Sequence, residues 1–324
     1  MRMNRRLVLV TLPVLALLAT FPKLGGTYQL NFLISIFMYI ALVQSWSILA
    51  YSGYISLGVT TFFGIGAYTM GQLWNAIPLA LIPILGGAIA LLIALVVSFP
   101  LLRVSGAYFT ILTYGLTLLI QSIILVFETR YSQVGTAKII VLGYMTDIVY
   151  YAMVAVGVSA VIVNQLVIRS KLGKALYAIR ENEEAAESLG IDTYKYKLIA
   201  FLLSSLYAGI TGSLMAIQIA WIDPYTAFQP IVSFQTVVIG LLGGMGGPLG
   251  LLLASILFSV IQQILWTSYP FHHSLLLGVI FLLVVSYRFG LLSSIRLLSV
   301  LKERLTPTFR SWWVSRVVGW FKGL

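Results

Sequence analysis

The chain has 324 residues, of which 60% are hydrophobic and 9% are charged, and its mean hydropathy is +1.00. A soluble domain carries about 25% charged residues. The composition therefore excludes a soluble globular protein and predicts an all-α fold, a polytopic helical bundle in a membrane. The formal net charge of +11 is explained by basic residues that orient the membrane segments, not by nucleic-acid binding.

Several chemistries are excluded by the residues that the chain lacks. It has no cysteine and only two histidines, the adjacent pair His272 and His273. No disulfide, thiol nucleophile or cysteine-ligated zinc is possible, and a metal site is not expected. A membrane enzyme would need a cluster of polar groups near a bilayer face, which this pair does not supply. We expect no catalytic residues.

Hydrophobic runs long enough to cross a bilayer need roughly 20 residues. The first, 7–22, follows a basic start and is interpreted as a retained span, because no small-residue cleavage site follows it. The stretch "GLLGGMGGPLG" at 240–250 is either a tight turn or a re-entrant element, so the prediction is about 10 spans, with a range of 8–10. The ten candidates are 7–22, 30–50, 53–73, 77–100, 106–127, 147–168, 198–220, 231–248, 250–267 and 273–288.

The basic residues predict the orientation of these spans. With the N-terminus in the cytoplasm, ten spans leave only Lys23, Arg130 and Lys138 outside, which is three of the 20 basic residues. The positive-inside rule therefore favours an N-in, C-in topology. We expect residues 1–290 to form the transmembrane domain, with a cytoplasmic loop at 169–197. Residues 291–324 contain Trp, Phe, Arg and Lys at helical spacing and are predicted to form a basic amphipathic tail at the cytoplasmic surface.

The ten spans contain no Lys or Glu, and their charged residues, Asp147 and Arg288, lie at span edges. Proton- and ion-coupled carriers place ionisable groups inside the bundle, so the pattern argues against them. The chain also lacks G-x-x-x-x-G-K-[ST], the phosphate-binding loop of ATPases. Two hypotheses remain: a passive channel for a small neutral solute, or a transport subunit driven by a separate ATPase.

Small and weakly polar residues are concentrated in 51–73 and 103–116. Such residues let helix backbones approach closely, so tight packing alone explains them. The alternative is that they line a path for a small polar substrate. The candidate path residues are Ser56, Thr60, Thr61, Tyr68, Tyr108, Thr110 and Thr113.

Five of the nine acidic residues lie between 181 and 192, in the loop 169–197. Apolar residues at near-helical spacing predict two short helices, with Asn182 capping the second and Gly190 ending it. Acids in the first turn suit the positive end of a helix dipole. The loop either folds back on its own bundle or docks a soluble partner. The candidate docking residues are Leu172, Leu176, Ile179, Arg180, Glu184, Ala185 and Gly190.

Four stretches, in order, resemble the permease subunits of the branched-chain amino acid ABC importer family. They are "SGYISLGVTTFFGIGAY" at 52–68, "VSGAYFTILTYGL" at 104–116, "LGKALYAIRENEEAAESLGIDTYKYKLIAF" at 172–201 and "GLLGGMGGPLG" at 240–250. In that family the third stretch contacts the ATPase subunits. The resemblance covers about 50–290 and does not extend to the tail.

The resemblance implies a transport subunit in a bacterial cytoplasmic (inner) membrane, with no cofactor of its own. The implied partners are a second permease subunit, two ATPase subunits that bind ATP–Mg, and an extracytoplasmic solute-binding protein. Val59 stands where the family often has a polar residue. Urea and short-amide permeases carry similar motifs, so they remain an alternative to branched-chain or related small amino acids.

Overall fold

The computed structural model describes residues 26–131, 138–139, 146–219, 221–270 and 272–288. The chain is predominantly α-helical in these ranges, as the composition predicts. The helices are α1 Thr27–Ala50, α2 Val59–Leu73, α3 Ile82–Leu101, α4 Gly106–Tyr131, α5 Thr146–Arg169, α6 Lys171–Glu181, α7 Glu183–Ser188, α8 Thr193–Ile219, α9 Pro224–Ala227, α10 Ile231–Gly243, α11 Pro248–Ser268 and α12 His273–Arg288.

A two-residue ribbon joins distant parts of the chain. β1 (Lys138–Ile139) pairs antiparallel with β2 (Trp221–Ile222), so that Lys138 lies opposite Ile222. The ribbon connects the segment between α4 and α5 to the segment between α8 and α9.

Seven helical segments in the described ranges are long and apolar enough to cross a membrane. They are Thr27–Ala50, Ile82–Leu101, Gly106–Arg130, Thr146–Arg169, Thr193–Ile219, Pro224–Gly243 and Pro248–Ser268. The multi-pass membrane prediction is confirmed at this level. The predicted span 7–22 lies outside the described residues, and the count of ten and the N-in, C-in orientation stay predictions.

The bundle is built around α1. In its most apolar window 83% of the residues are buried, against 17% for α4. α1 packs against α5, α8, α10 and α11, whereas α2, α3 and α8 pack closely together. The central helix is therefore shielded by protein, and much of α4 presents apolar side chains outward.

Glycines let α2, α3 and α8 approach to backbone contact. A Cβ on Gly66 of α2 would lie 1.9 Å from the carbonyl oxygen of Gly209 in α8, and one on Gly212 would lie 1.9 Å from that of Phe63. Ser213 adds a hydroxyl that donates to the Gly66 carbonyl at 2.8 Å. The prediction that small residues here serve close packing fits these contacts.

The predicted span 53–73 is not one helix. Residues 51–58 are non-helical, Gly53 has φ +84°, and α2 begins only at Val59 and has 15 residues. Hydropathy did not reveal this break because the side chains of 51–58 are largely apolar or small. Most of this segment is buried in the protein, which is where non-helical backbone at membrane depth is tolerated.

The glycine-rich stretch 240–250 is a tight turn between two helices. α10 ends at Gly243 and α11 begins at Pro248, and both Gly244 (φ +72°) and Gly247 (φ +154°) adopt conformations that favour glycine. The local structure is therefore a helix–helix turn, and its place at the membrane surface or within the membrane stays a prediction.

The chain divides into two compact units, 1–268 and 269–324. In the second unit the described helix is α12, which matches the predicted span 273–288. The predicted amphipathic tail 291–324 lies outside the described residues, so the domain division stays a prediction.

Candidate functional site

The acidic loop forms the two short helices that its sequence predicts, α6 and α7. The side chain of Asn182 accepts a hydrogen bond from the backbone N–H of Ala185 at 3.0 Å and caps α7. Glu183 and Glu184 occupy the first turn of α7. Gly190 follows the helix with φ +81°, and its N–H donates to the carbonyl of Glu187 at 2.9 Å. The predicted caps are confirmed.

The apolar face of α6 packs into the chain's own bundle. Leu176 and Ile179 are buried, whereas Leu172 is half-buried. Gly173 permits the sharp junction with α5, since a Cβ there would lie 2.4 Å from the carbonyl oxygen of Val167. The deeper predicted docking anchors are thus not available on the surface, because intramolecular packing covers them.

α6 contacts both irregular segments of the bundle. The Tyr177 hydroxyl donates to the backbone carbonyl of Met245 at 3.1 Å, and its ring stacks on that of Tyr51 with centroids 5.5 Å apart. Arg180 is exposed, places its guanidinium 3.5 Å from the Met245 sulfur, and lies beside Gly53. One short helix therefore touches segment 51–58 and the glycine turn 244–247.

α7 has one attached face and one free face. Ala186 is buried, but Glu184, Ala185 and Gly190 are exposed and Leu189 is 81% exposed. We call Glu184, Ala185, Leu189 and Gly190 the outer face of α7. An exposed leucine among acidic residues outside the long apolar helices is a feature that a partner protein can bind.

The attached side of α7 is held by a buried lysine. Lys197 of α8 forms an ion pair with Glu183, and its ammonium donates to the Tyr54 hydroxyl at 3.1 Å and the Leu102 carbonyl at 3.3 Å. The Tyr54 hydroxyl in turn donates to Glu183 at 2.9 Å. We call Lys197, Glu183, Tyr54 and the Leu102 carbonyl the Lys197 cluster. It joins segment 51–58, the C-terminal end of α3, α7 and α8.

A cavity of about 710 Å³ opens beside the Lys197 cluster. Its lining combines Arg103, Glu184 and Glu187 with aromatic side chains. The guanidinium of Arg103 stacks on the ring of Phe99, 3.9 Å from the centroid. A polar cavity next to a six-residue helix leaves space into which that helix can move.

The predicted path residues around α2 form a hydrogen-bonded network. Thr60 and Ser233 bond reciprocally: the backbone N–H of Thr60 donates to the Ser233 hydroxyl at 2.9 Å, and that of Ser233 donates to the Thr60 hydroxyl at 3.0 Å. Their hydroxyl oxygens lie 2.6 Å apart. The first turns of α2 and α10 therefore satisfy each other's amides.

Threonines of α4 hold segment 51–58 in place. Thr113 accepts from the backbone N–H of Leu57 at 3.0 Å, and Thr110 donates to the carbonyl of Ile55 at 2.8 Å. Thr61 bonds Thr117 at 2.8 Å. The hydroxyl of Ser56 accepts from the N–H of Gly58 at 3.1 Å. These hydroxyls are satisfied within the protein, as tight packing requires, and their role in a path stays a prediction.

The two predicted path tyrosines lie apart from this network. Tyr68 is buried and donates to Glu128 near the C-terminal end of α4 at 3.4 Å, and Tyr108 is 74% exposed. The structure brings the predicted threonines and Ser56 together around α2 and segment 51–58, and it places these two tyrosines elsewhere.

Lys197 and Ser233 were not among the predicted site residues. Lys197 directly precedes the predicted span 198–220, but α8 begins at Thr193 and buries it. Glu128 likewise falls just beyond 106–127 and inside α4. A lysine directly before a span beside an acidic loop was the signal available for Lys197. No sequence signal pointed to Ser233, because its partner Thr60 is 173 residues away along the chain.

No group of three or more His, Cys, Asp or Glu side chains in the described ranges could share a metal ion. The site combines the outer face of α7, the buried Lys197 cluster beneath it, and two irregular segments in contact with α6. Such an arrangement suits the transmission of movement between a partner and the bundle.

Comparisons with known proteins identify the family. Residues 28–285 match the model described as "Branched-chain amino acid transport system / permease component". The high-affinity branched-chain amino acid transport system permease protein LivM of Escherichia coli (strain K12) is 29% identical over 88% of this chain and 74% of its own length. The Salmonella typhimurium LivM is 28% identical over the same shares.

Other relatives match smaller parts of the chain. The nucleoside ABC transporter permease protein NupC of Lactococcus lactis subsp. cremoris is 28% identical over 33% of this chain and 33% of its own length. No solved structure matches. The family model spans most of the chain and includes segment 51–58, α6, α7 and α8, which form the site. The chain belongs to the family of ABC transporter permeases of the branched-chain amino acid transport system.

Proposed function

We propose that this chain is the membrane-spanning subunit of an ATP-driven importer for branched-chain or related small amino acids, in the bacterial cytoplasmic (inner) membrane. The observation that carries the proposal is the construction of α7. Its outer face exposes Leu189, and its other side is fixed to the bundle by Glu183. A helix of this kind can receive a partner's movement and pass it to the bundle.

The substrate class rests on the extent of the similarity. The relatives named for branched-chain amino acid transport match 88% of this chain, whereas the nucleoside permease matches 33%. A solute related to urea or a short amide is the alternative that the assay below separates. Specificity in this proposal resides largely in the solute-binding partner.

The proposed assembly supplies what the chain lacks. It carries no G-x-x-x-x-G-K-[ST] loop, so ATP–Mg would bind to two separate ATPase subunits. A second permease subunit would complete the membrane part, and an extracytoplasmic protein would deliver the solute. This chain would hold no catalytic residue and no cofactor.

The docking surface is proposed to be the outer face of α7 together with Arg180. Leu189 is the apolar anchor in this arrangement, because Leu176 and Ile179 are covered by the bundle. Glu184 and Glu187 would meet basic side chains of the ATPase around a pocket for Leu189. Apolar anchors at the centre of an interface dominate its affinity, whereas charges at the rim mainly set orientation.

Transport would proceed by alternating access. Closure of the ATPase pair would displace the α6–α7 helix pair, and the bundle would change the side to which the solute is exposed. The solute itself needs no buried charge on this chain, which fits a ligand that carries no net charge.

The first experiment measures docking with Leu189→Arg. The complex is purified from cells that express this chain with its proposed partners, and the affinity of the ATPase for the membrane subunit is measured. We expect Leu189→Arg to weaken binding by at least about tenfold, because a charge replaces a central apolar anchor. Tyr225→Arg places the same side chain at an exposed position in α9 and should bind normally.

The second measurement uses proteoliposomes that contain the wild-type complex. ATP-dependent uptake of leucine, and not of urea or acetamide, would support the proposal. Uptake of urea would move the substrate to the amide class. Equilibration of a neutral solute by this chain alone, without any ATPase, would establish a channel and contradict the proposal.

A further inference from the structure

The Lys197 cluster lies between the outer face of α7 and segment 51–58. We propose that it is the transmission element of transport: when a partner displaces α7, the Glu183 carboxylate moves with it, and Tyr54 carries the displacement into segment 51–58. Lys197 is then a positioning residue that touches neither solute nor nucleotide. This inference rests on the proposed function, since it needs a partner that moves α7.

The cluster has the bonding of a stiff connection. The Lys197 side chain is 4% exposed, and its ammonium has three N–H donors and three acceptors: Glu183, Tyr54 and the Leu102 carbonyl. Tyr54 also bonds Glu183 directly, which closes a triangle of charge-assisted contacts. A buried ion cannot leave such a site without losing its compensation, so its partners move together or the site breaks.

The helix that carries Glu183 is short enough to move as one piece. α7 has six residues, with Asn182 capping its start and Gly190 following its end. Glu183 is its first residue, and Leu189 of the outer face comes directly after its last. Glu183 and Leu189 are therefore only about two helical turns apart along the chain. The cavity beside α7 leaves space for this helix to shift.

Tyr54 passes the displacement to the rest of segment 51–58, whose first three residues bond to the end of α1 and whose later residues are held by side chains. Segment 51–58 is held by side chains, including the indole N–H of Trp46, which donates to the Ser56 carbonyl at 3.0 Å. It leads directly into α2, where Thr60 bonds Ser233. A shift of Tyr54 therefore reaches the Thr60–Ser233 pair through six residues of chain.

α6 supplies a second route to the same pair. Its Tyr177 bonds the backbone of Met245 in the turn that follows α10, and α10 carries Ser233. The α6–α7 helix pair thus contacts the chain that precedes Thr60 and the chain that follows Ser233. Displacement of the α6–α7 helix pair therefore acts on both partners of the Thr60–Ser233 bond, which makes that bond the point where α2 and α10 separate.

The decisive variant is Lys197→Met combined with Glu183→Gln. It removes both charges at once, so no uncompensated ion stays buried and the bundle can fold. We expect the full complex to assemble and hydrolyse ATP, and uptake per ATP hydrolysed to fall at least about fivefold, the lower range of a coupling between two sites. Tyr54→Phe is the second variant. It keeps the ion pair and the ring contact with Phe109, removes both hydroxyl bonds, and should uncouple in the same direction.

The absence of cysteine from the chain permits a direct reporter. Cysteines introduced at Thr60 and Ser233 bring two sulfurs within bonding reach, because the native hydroxyl oxygens lie 2.6 Å apart. A copper–phenanthroline oxidant accepts the two electrons of disulfide formation, and we expect ATP to change the rate of that reaction in the complex. In the Lys197→Met, Glu183→Gln background that ATP dependence should be lost, although the disulfide still forms.

The outcomes separate this inference from the function on which it rests. Wild-type uptake per ATP in both cluster variants, with an unchanged ATP effect on the disulfide, would show that the cluster is only structural and overturn the inference while the proposed function stands. Failure of the wild-type chain to bind any ATPase would overturn both. Loss of docking in Leu189→Arg, with normal docking but poor coupling in the cluster variants, is the result that supports both.

Discussion

Segment 51–58 and the turn 244–247 both break the helical bundle and both touch α6, but they are held in opposite ways. Segment 51–58 is fixed by four side chains from three helices: Trp46, Thr110, Thr113 and Lys197. The turn is shaped by its own glycines, and Tyr177 and Arg180 reach it only at Met245. The first is positioned by its surroundings and moves with them, whereas the second is set by local backbone and can bend without breaking a network.

The largest effect that tests this contrast is expected at the Lys197 cluster. Glu183→Gln leaves the Lys197 ammonium without its countercharge, and we expect the free energy of unfolding to fall by about 3 kcal/mol. Breaking a buried ion pair typically costs about 3–5 kcal/mol. Glu183 is 31% exposed, which keeps the expected loss at the lower end of these values. Adding Lys197→Met should restore most of the loss. The measurement is thermal unfolding of the detergent-purified chain, and a single variant as stable as the double variant would contradict the assignment.

A middle-sized effect is expected from Thr113→Val. The substitution keeps the shape of the side chain but removes the acceptor for the backbone N–H of Leu57. Leaving that partly buried amide unsatisfied should cost about 1 kcal/mol of stability. Thr129→Val is the matched control, because Thr129 is exposed on the same helix and its hydroxyl bonds only to its own helix. Equal unfolding temperatures for the two variants would show that side chains do not hold segment 51–58.

The smallest effect is expected at the turn. Gly244→Ala places a Cβ at φ +72° and ψ 158° with no neighbouring atom within 4 Å, so the strain of a backbone region that favours glycine should alone cost about 1 kcal/mol. Gly246→Ala meets nothing and has no such φ, and it should be close to neutral. Measured side by side by thermal unfolding, a larger loss for Gly246→Ala than for Gly244→Ala would contradict a turn set by local backbone.

The sequence was sufficient where structure is local. The caps at Asn182 and Gly190 and the two helices of the acidic loop follow from spacing over a few residues, and the structure has them. The long helices follow from hydropathy. The family resemblance, carried by four ordered motifs, agrees with the family model over 28–285.

The sequence was insufficient where position depends on distant partners. Hydropathy averages over a window, so it could not separate the eight non-helical residues 51–58 from the helix that follows. The burial of Leu176 depends on how α6 folds back, and the charge of Lys197 is tolerated only because Glu183 and Tyr54 come from other segments. Such contacts are set by packing, which spacing along the chain does not encode.

The contacts between glycines in α2, α3 and α8 also bear on how this protein can vary. At Gly66 of α2 and Gly212 of α8, even one added methyl group would overlap a backbone carbonyl 1.9 Å away. The overlap could be relieved only by moving the two helices apart, which would break their packing. At Leu92 or Leu253, which face outward, a change among apolar side chains meets only the surroundings. Tolerance to mutation in this bundle is therefore graded by backbone proximity rather than by hydrophobicity. A saturation library selected for folded protein would show two glycine positions closed to all nineteen alternatives within helices that elsewhere accept many.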